Sequence, residues 1–132
     1  MAEMNTQFFN MHISEFFSRI TGQMDSLCYV LIACVCLDYI SGILNALAKR
    51  KLSSKVGAKG ICRKILIFII VGMGYLFDAI VIGDGNTLRT SLTLFYICNE
   101  SISILENAEG IGLPIPEILR HTIERVEKEN RN

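Results

Sequence analysis

Residues 27–48 read LCYVLIACVCLDYISGILNALA, and residues 65–83 read ILIFIIVGMGYLFDAIVIG. Each run carries a single charged side chain, Asp38 in the first and Asp78 in the second. At a rise of 1.5 Å per residue, a helix over the first run covers roughly 33 Å, enough for a hydrocarbon core of about 30 Å. A soluble core helix of that length would show a polar side, and these two show almost none. The fold is therefore expected to be an all-α integral membrane protein, with spans at 27–48 and 65–83.

The segment between the two runs is KRKLSSKVGAKGICRK. Lys49, Arg50, Lys51, Lys55, Lys59, Arg63 and Lys64 are basic, and no residue in it is acidic. Short loops rich in Lys and Arg stay on the cytoplasmic side during insertion. The expected topology follows: residues 49–64 inside, the N-terminus outside, the Gly83–Asn86 turn outside and the C-terminus inside. The basic loop also suits anionic lipid headgroups. Net charge over the 132 residues is zero, so no global field draws the chain to nucleic acid.

A third span is expected at Leu88 to Asn107. It is weaker in hydropathy but sharply patterned. At 100° per residue, Arg89, Thr93, Tyr96, Glu100, Ser103 and Asn107 fall on one line, with apolar residues elsewhere. Such a stripe suits a helix that faces water inside the membrane, or one that faces other polar helices. Three helices are too few to enclose an aqueous channel, so a pore lining by these six residues implies a homo-oligomer. A surface helix of a soluble domain is the bland alternative, and the two strong spans before it argue against that.

Ionisable groups at membrane depth are costly and usually have a use. Asp38 shares a helical face with Ser41, Gly42 and Asn45, and Gly42 with Ala46 has the small-xxx-small spacing that lets backbones approach. These residues are expected at a helix or subunit contact, or tied to another span of the same monomer. Gly74 stands four residues before Asp78, again a close-approach spacing. The outer turn brings Asp78 near Arg89, which suggests an ion pair between them.

Amphipathic segments flank the spans. In residues 6–26, Phe9, Ile13, Phe16, Ile20 and Met24 share one face. The segment suits the membrane interface, or plain packing against the spans. After the breaker EGIGLPIPE, residues 115–130 read as a cytoplasmic helix with Ile115, Leu119, Ile123 and Val126 along one edge. Its surface pairs are expected at Glu117–His121, Arg120–Glu124, Glu124–Lys128 and Glu127–Arg131. The whole chain, 1–132, reads as a single domain.

Neither an enzyme constellation nor a cofactor or metal signature is visible. The five cysteines, Cys28, Cys34, Cys36, Cys62 and Cys98, are odd in number and read as small buried hydrophobes rather than a disulfide framework. No cleavable signal peptide is evident.

Several motifs nevertheless sit in a characteristic order. Asp38-Tyr-Ile-Ser-Gly42 is followed by Asn45-Ala46, then Leu52-Ser-Ser-Lys55 with Gly57, Lys59-Gly60 and Arg63-Lys64. Asp78, Phe95-Tyr96, Asn99-Glu100, Ser103-Ile-Leu-Glu106-Asn107, Gly112 and Pro114-x-Pro116 complete the set. Over about residues 38–119 the chain resembles the toxin-secretion/phage-lysis holin family, which includes the clostridial toxin-export holin. The resemblance implies a small protein that accumulates in the host cytoplasmic membrane and assembles into lesions. Through these an endolysin escapes, or in some relatives a toxin. It implies homo-oligomers, a functional partner in the endolysin or toxin cargo, and in some systems an antiholin. Two other functions fit the residues. One is a small ion-coupled channel or carrier using Asp38 and Glu100, and the other is an antiholin that titrates a holin.

Overall fold

The computed structural model describes residues 1–22, 25–83 and 86–131 of the chain. They form five helices and no strand among the described residues: α1 (Ala2–Gly22), α2 (Ser26–Ala48), α3 (Ser54–Phe77), α4 (Thr87–Ile111) and α5 (Glu117–Arg131). A π turn, Asp78–Ile82, prolongs α3. Two of these rods, Ser26–Ala48 and Ser54–Ile82, are long and apolar enough to cross a membrane. At 25 residues α4 matches them in length, but it carries Arg89, Glu100, Glu106 and Glu109.

The helix ends are written in the sequence. Asp25 stands in extended backbone before α2 and accepts the Cys28 N–H at 3.1 Å, an N-cap. At the other end Arg50 takes a left-handed φ of 54°, and the Lys51 N–H returns to the Ala46 carbonyl at 2.9 Å. α4 closes the same way: Gly112 sits at φ 94° and the Leu113 N–H reaches Ala108 at 3.0 Å. Pro114 and Pro116 then prevent its continuation.

α2 and α4 run parallel, with Asp25 beside Arg89 at one end and Asn45 against Gly110 at the other. α3 returns antiparallel, and α4 packs most extensively, against α2 above all. The inward-facing positions recur at steps of three and four: Leu31, Val35 and Asp38 on α2; Lys64, Ile67, Val71 and Gly74 on α3, continued by Asp78 of the π turn; Arg89, Thr93, Tyr96 and Glu100 on α4. That is the stripe of a left-handed helical bundle. Three helices bury only one stripe each, and Tyr29, Leu37, Leu44, Leu66, Ile69 and Leu76 remain exposed. The same limit corrects the expectation for the cysteines. Cys36 and Cys62 are exposed, Cys28, Cys34 and Cys98 are half-buried, and all five are free thiols.

The terminal helices behave differently from each other. Among the described residues, α1 makes no contact with the other helices, and Phe8, Phe9, Met11 and Ile13 are exposed. Phe16, Ile20 and Met24, expected on its apolar face, lie outside the described side chains, as do Asp84 and Gly85 of the turn. α5 folds back along α4. Leu119, Thr122 and Val126 line an apolar groove with Ile97, Ser101 and Ile104, and Arg120 pairs with Glu109. Its apolar edge, expected to lie on the membrane or a neighbouring subunit, looks toward α4 of the same chain across this open groove, with Leu119 still exposed. Arg120 turns to Glu109 rather than Glu124, and Arg125–Glu129 is an exposed surface pair at 3.4 Å. Ile123 and the Glu127–Arg131 pair lie outside the described side chains.

Candidate functional site

The interior of the bundle holds three polar layers and one apolar layer. The first polar layer lies at the Asp25 end. Asp78, 1% exposed, accepts the backbone N–H groups of Leu88 at 3.1 Å and Arg89 at 2.8 Å. It therefore caps α4 across the turn, satisfying donors that a helix start leaves open. The π turn begins at Asp78 itself, with the Gly83 N–H closing on its carbonyl at 3.0 Å. The expected side-chain pair between Asp78 and Arg89 is replaced by this backbone contact. The Arg89 guanidinium goes elsewhere: to Asp25 at 3.2 Å, to Cys28 Sγ at 3.3 Å, and over the Tyr75 ring at 5.8 Å. Asp78→Ala is expected to destabilise the protein by about 1–2 kcal/mol, the usual cost of losing a cap. Denaturation of the detergent-solubilised protein measures it, with Asp78→Asn losing less.

Asp25 lies outside the helices themselves, as the cap of α2. Burial alone would push its pKa up, but the Cys28 contacts and the Arg89 charge outweigh it and hold the carboxyl below its ordinary value. Its contribution to stability is therefore present above the ordinary carboxylate range and lost as pH falls through the folded-state pKa. Asp25→Asn is expected to flatten the acid side of the stability–pH curve while leaving its shape above pH ~6 unchanged, readable in melting curves across a pH series.

Below this layer comes the apolar one. Leu31 and Val35 of α2 meet Ile67 and Val71 of α3, with Leu92, Tyr96 and Ile97 of α4 packed against them. Gly74 permits the close approach here: a Cβ on it would lie 2.7 Å from Leu92 Cδ1 and 3.4 Å from the Arg89 Cα.

The second polar layer is a charge cluster. The Lys64 ammonium lies between two carboxylates, pairing with Asp38 and with Glu100 Oε2 at 2.5 Å. Two negative groups share one positive group, each from a different helix. The third layer continues from it. Asn107 donates to Asp38 Oδ1 at 3.2 Å and to Ser41 Oγ at 3.0 Å, and Asn45 reaches Asn107 Oδ1 at 3.4 Å. Gly110 leaves space for the Asn45 amide, and Gly42 faces Asn107. A cleft of about 580 Å³ opens between α3 and α4 at this level, with Asn99, Ser103 and Glu106 on one wall and Arg63 on the other.

The six residues of the α4 stripe are thus placed together and turned inward. Arg89, Thr93 and Glu100 are 5%, 1% and 4% exposed; Tyr96, Ser103 and Asn107 are half-buried. Asp38, Ser41, Gly42 and Asn45 face α4, with Ala46 half-buried beside them. Lys49, Arg50, Lys51, Lys55, Lys59 and Arg63 are exposed, as suits a headgroup contact. Lys64 is not: it leaves the basic run and enters the bundle. Its role was legible in its phase, because Lys64 falls in step with Ile67, Val71, Gly74 and Asp78. Asp25 was legible as an N-cap before an apolar run. Among the described residues no group of His, Cys, Asp and Glu could hold a metal ion.

Comparison with known proteins gives a family and several relatives. Residues 15–128 match the bacteriophage holin family. An uncharacterised protein of Listeria monocytogenes is 42% identical over 107 residues, covering 81% of this chain and 76% of its own. One from Clostridium perfringens is 34% identical over 114 residues, covering 86% and 84%. The probable holin of Bacillus phage phi105 is 36% identical over 95 residues, covering 71% and 69%. No solved structure matches.

Proposed function

This chain belongs to the bacteriophage holin family, and from that premise we propose that it assembles in a bacterial cytoplasmic membrane and opens lesions there. A cell-wall hydrolase leaves through them and the host lyses; a toxin cargo could use the same opening. α2, α3 with its π turn, and α4 cross the bilayer, with the basic segment and the C-terminus inside and the N-terminus outside.

The observation that carries this reading is the burial of the α4 polar stripe inside a bundle whose outer faces are apolar. A single charge at the centre of a membrane helix costs about 2.5–3.5 kcal/mol on insertion scales. In the monomer Lys64 pairs with both Asp38 and Glu100, leaving one negative charge in the cluster, and lipid meets Leu37, Leu44 and Ile69 instead. When copies crowd together, α4 turns the same stripe toward a shared aqueous space, where water hydrates the charges. One set of residues thereby serves a lipid-stable closed state and a hydrated open one.

The buried carboxylates also suit a second reading, an ion-coupled carrier. Inducing the chain in bacteria with and without a wall hydrolase separates the readings. A holin collapses the membrane potential abruptly, and lysis follows when the hydrolase is present. Selective, saturable ion flux with the hydrolase retained inside would contradict the holin reading, and absence of killing would indicate an antiholin.

A further inference from the structure

We infer that each closed monomer already carries a water-filled, cation-favouring vestibule on its cytoplasmic side, stopped halfway across the membrane by an apolar plug. The inference rests on the three-span reading above and deepens it. The cleft between α3 and α4 runs from Gly60 and Glu106 to Ile70 and Tyr96. Ten residues on each helix correspond to a length of about 15 Å. Its volume of about 580 Å³ has room for on the order of ten to twenty waters.

The walls supply what such water needs. Asp38, Glu100 and Glu106 face Arg63 and Lys64 across it, with the Asn99 amide and Ser103 hydroxyl between. Three carboxylates against two cations leave the lining net negative, so it favours small cations over anions. At its floor the character changes within one turn. Ile67 and Tyr96 close the cleft, and Leu31, Val35, Val71 and Leu92 fill the layer beyond. An apolar constriction of this kind blocks conduction by excluding water, with no need for a moving lid. On the far side polar groups resume at Thr93, Asp78 and Arg89.

The natural thiols provide the reference for a test. Cys36 is exposed on the lipid-facing side of α2, two residues from Asp38 and so at the depth of the charge cluster. In membrane vesicles presenting the basic-loop side, a membrane-impermeant cationic thiosulfonate is applied and each cysteine is read by peptide mass spectrometry. Asn99→Cys is expected to react at least about tenfold faster than Cys36, because only a hydrated thiolate is reactive. It should also prefer the cationic reagent over an anionic one, while Val71→Cys stays unmodified. Ser103→Cys gives a second position on the same wall should Asn99→Cys fail to insert. Equal slow reaction of both wall positions and Cys36 would overturn the vestibule, and fast reaction of Val71→Cys would overturn the plug. Failure of the holin reading has a separate signature, since the unsubstituted chain would then not permeabilise cells.

Discussion

Lys64→Met is expected to be the most damaging single substitution in the bundle. It removes the one ammonium from between Asp38 and Glu100 and leaves two largely buried like charges facing each other at the edge of the cleft. Breaking a buried pair by deleting one partner costs about 3–5 kcal/mol, because an uncompensated charge stays behind. Here two stay behind, at membrane depth. The expected outcome is a sharp fall in the amount of chain recovered in the membrane fraction and in its resistance to protease. The companion variants make the cause visible. Adding Asp38→Asn and Glu100→Gln to Lys64→Met removes all three charges and should restore much of the loss, as neutral replacements of buried ion pairs often do. Continued loss in the neutral triple variant would point to packing by the lysine stem instead.

Glu100→Leu is expected to do the opposite: fold and insert, yet fail to kill. It leaves Lys64 paired with Asp38, a neutral couple, so the closed monomer carries no unpaired charge there. What it removes is the acidic group of the α4 stripe, the group that an open lesion must hydrate. With leucine there, turning the stripe toward water exposes apolar surface at about 25 cal/mol per Å² rather than hydrating a charge. Membrane-fraction levels should match the natural chain, while induction produces no loss of potential. Full killing by this variant would remove α4 from the role given to it.

The two variants also mark where sequence reading succeeded and where it stopped. α2 and the apolar part of α3 were legible because length without charge has one ready explanation; residues 54–64, expected within a basic loop, instead form the first turns of α3, since their lysines do not prevent a helix. The stripe on α4 was legible as a pattern, down to its six residues. Its direction was not, since a polar line at steps of three and four looks the same whether it faces water or another helix's polar face. What settles the direction in the monomer is the partner set: Asp38 and Asn45 on α2, and Lys64 on α3. Lys64 was hidden by its company. Counted by composition, it is the last of seven basic residues; counted by helical phase, it is the first of the core positions on α3. The turn between α3 and α4 was correctly expected to bring Asp78 near Arg89. The contact itself could not be foreseen, because a π turn, which no residue pattern announces, carries Asp78 onto the α4 backbone. For α5, an amphipathic edge was evident, but a sequence cannot say which of several apolar surfaces will cover it.

The parting of α4 from α2 is the step on which the account depends, and a reversible staple across that contact tests it. Asn45 and Gly110 touch near the basic end of the two helices. Cysteines at both positions, joined by a mild oxidant and verified by mass spectrometry, should hold the bundle closed. Stapled protein should accumulate in the membrane without loss of potential, and adding reductant should trigger prompt, hydrolase-dependent lysis. Lysis at the natural time with the staple intact would contradict it.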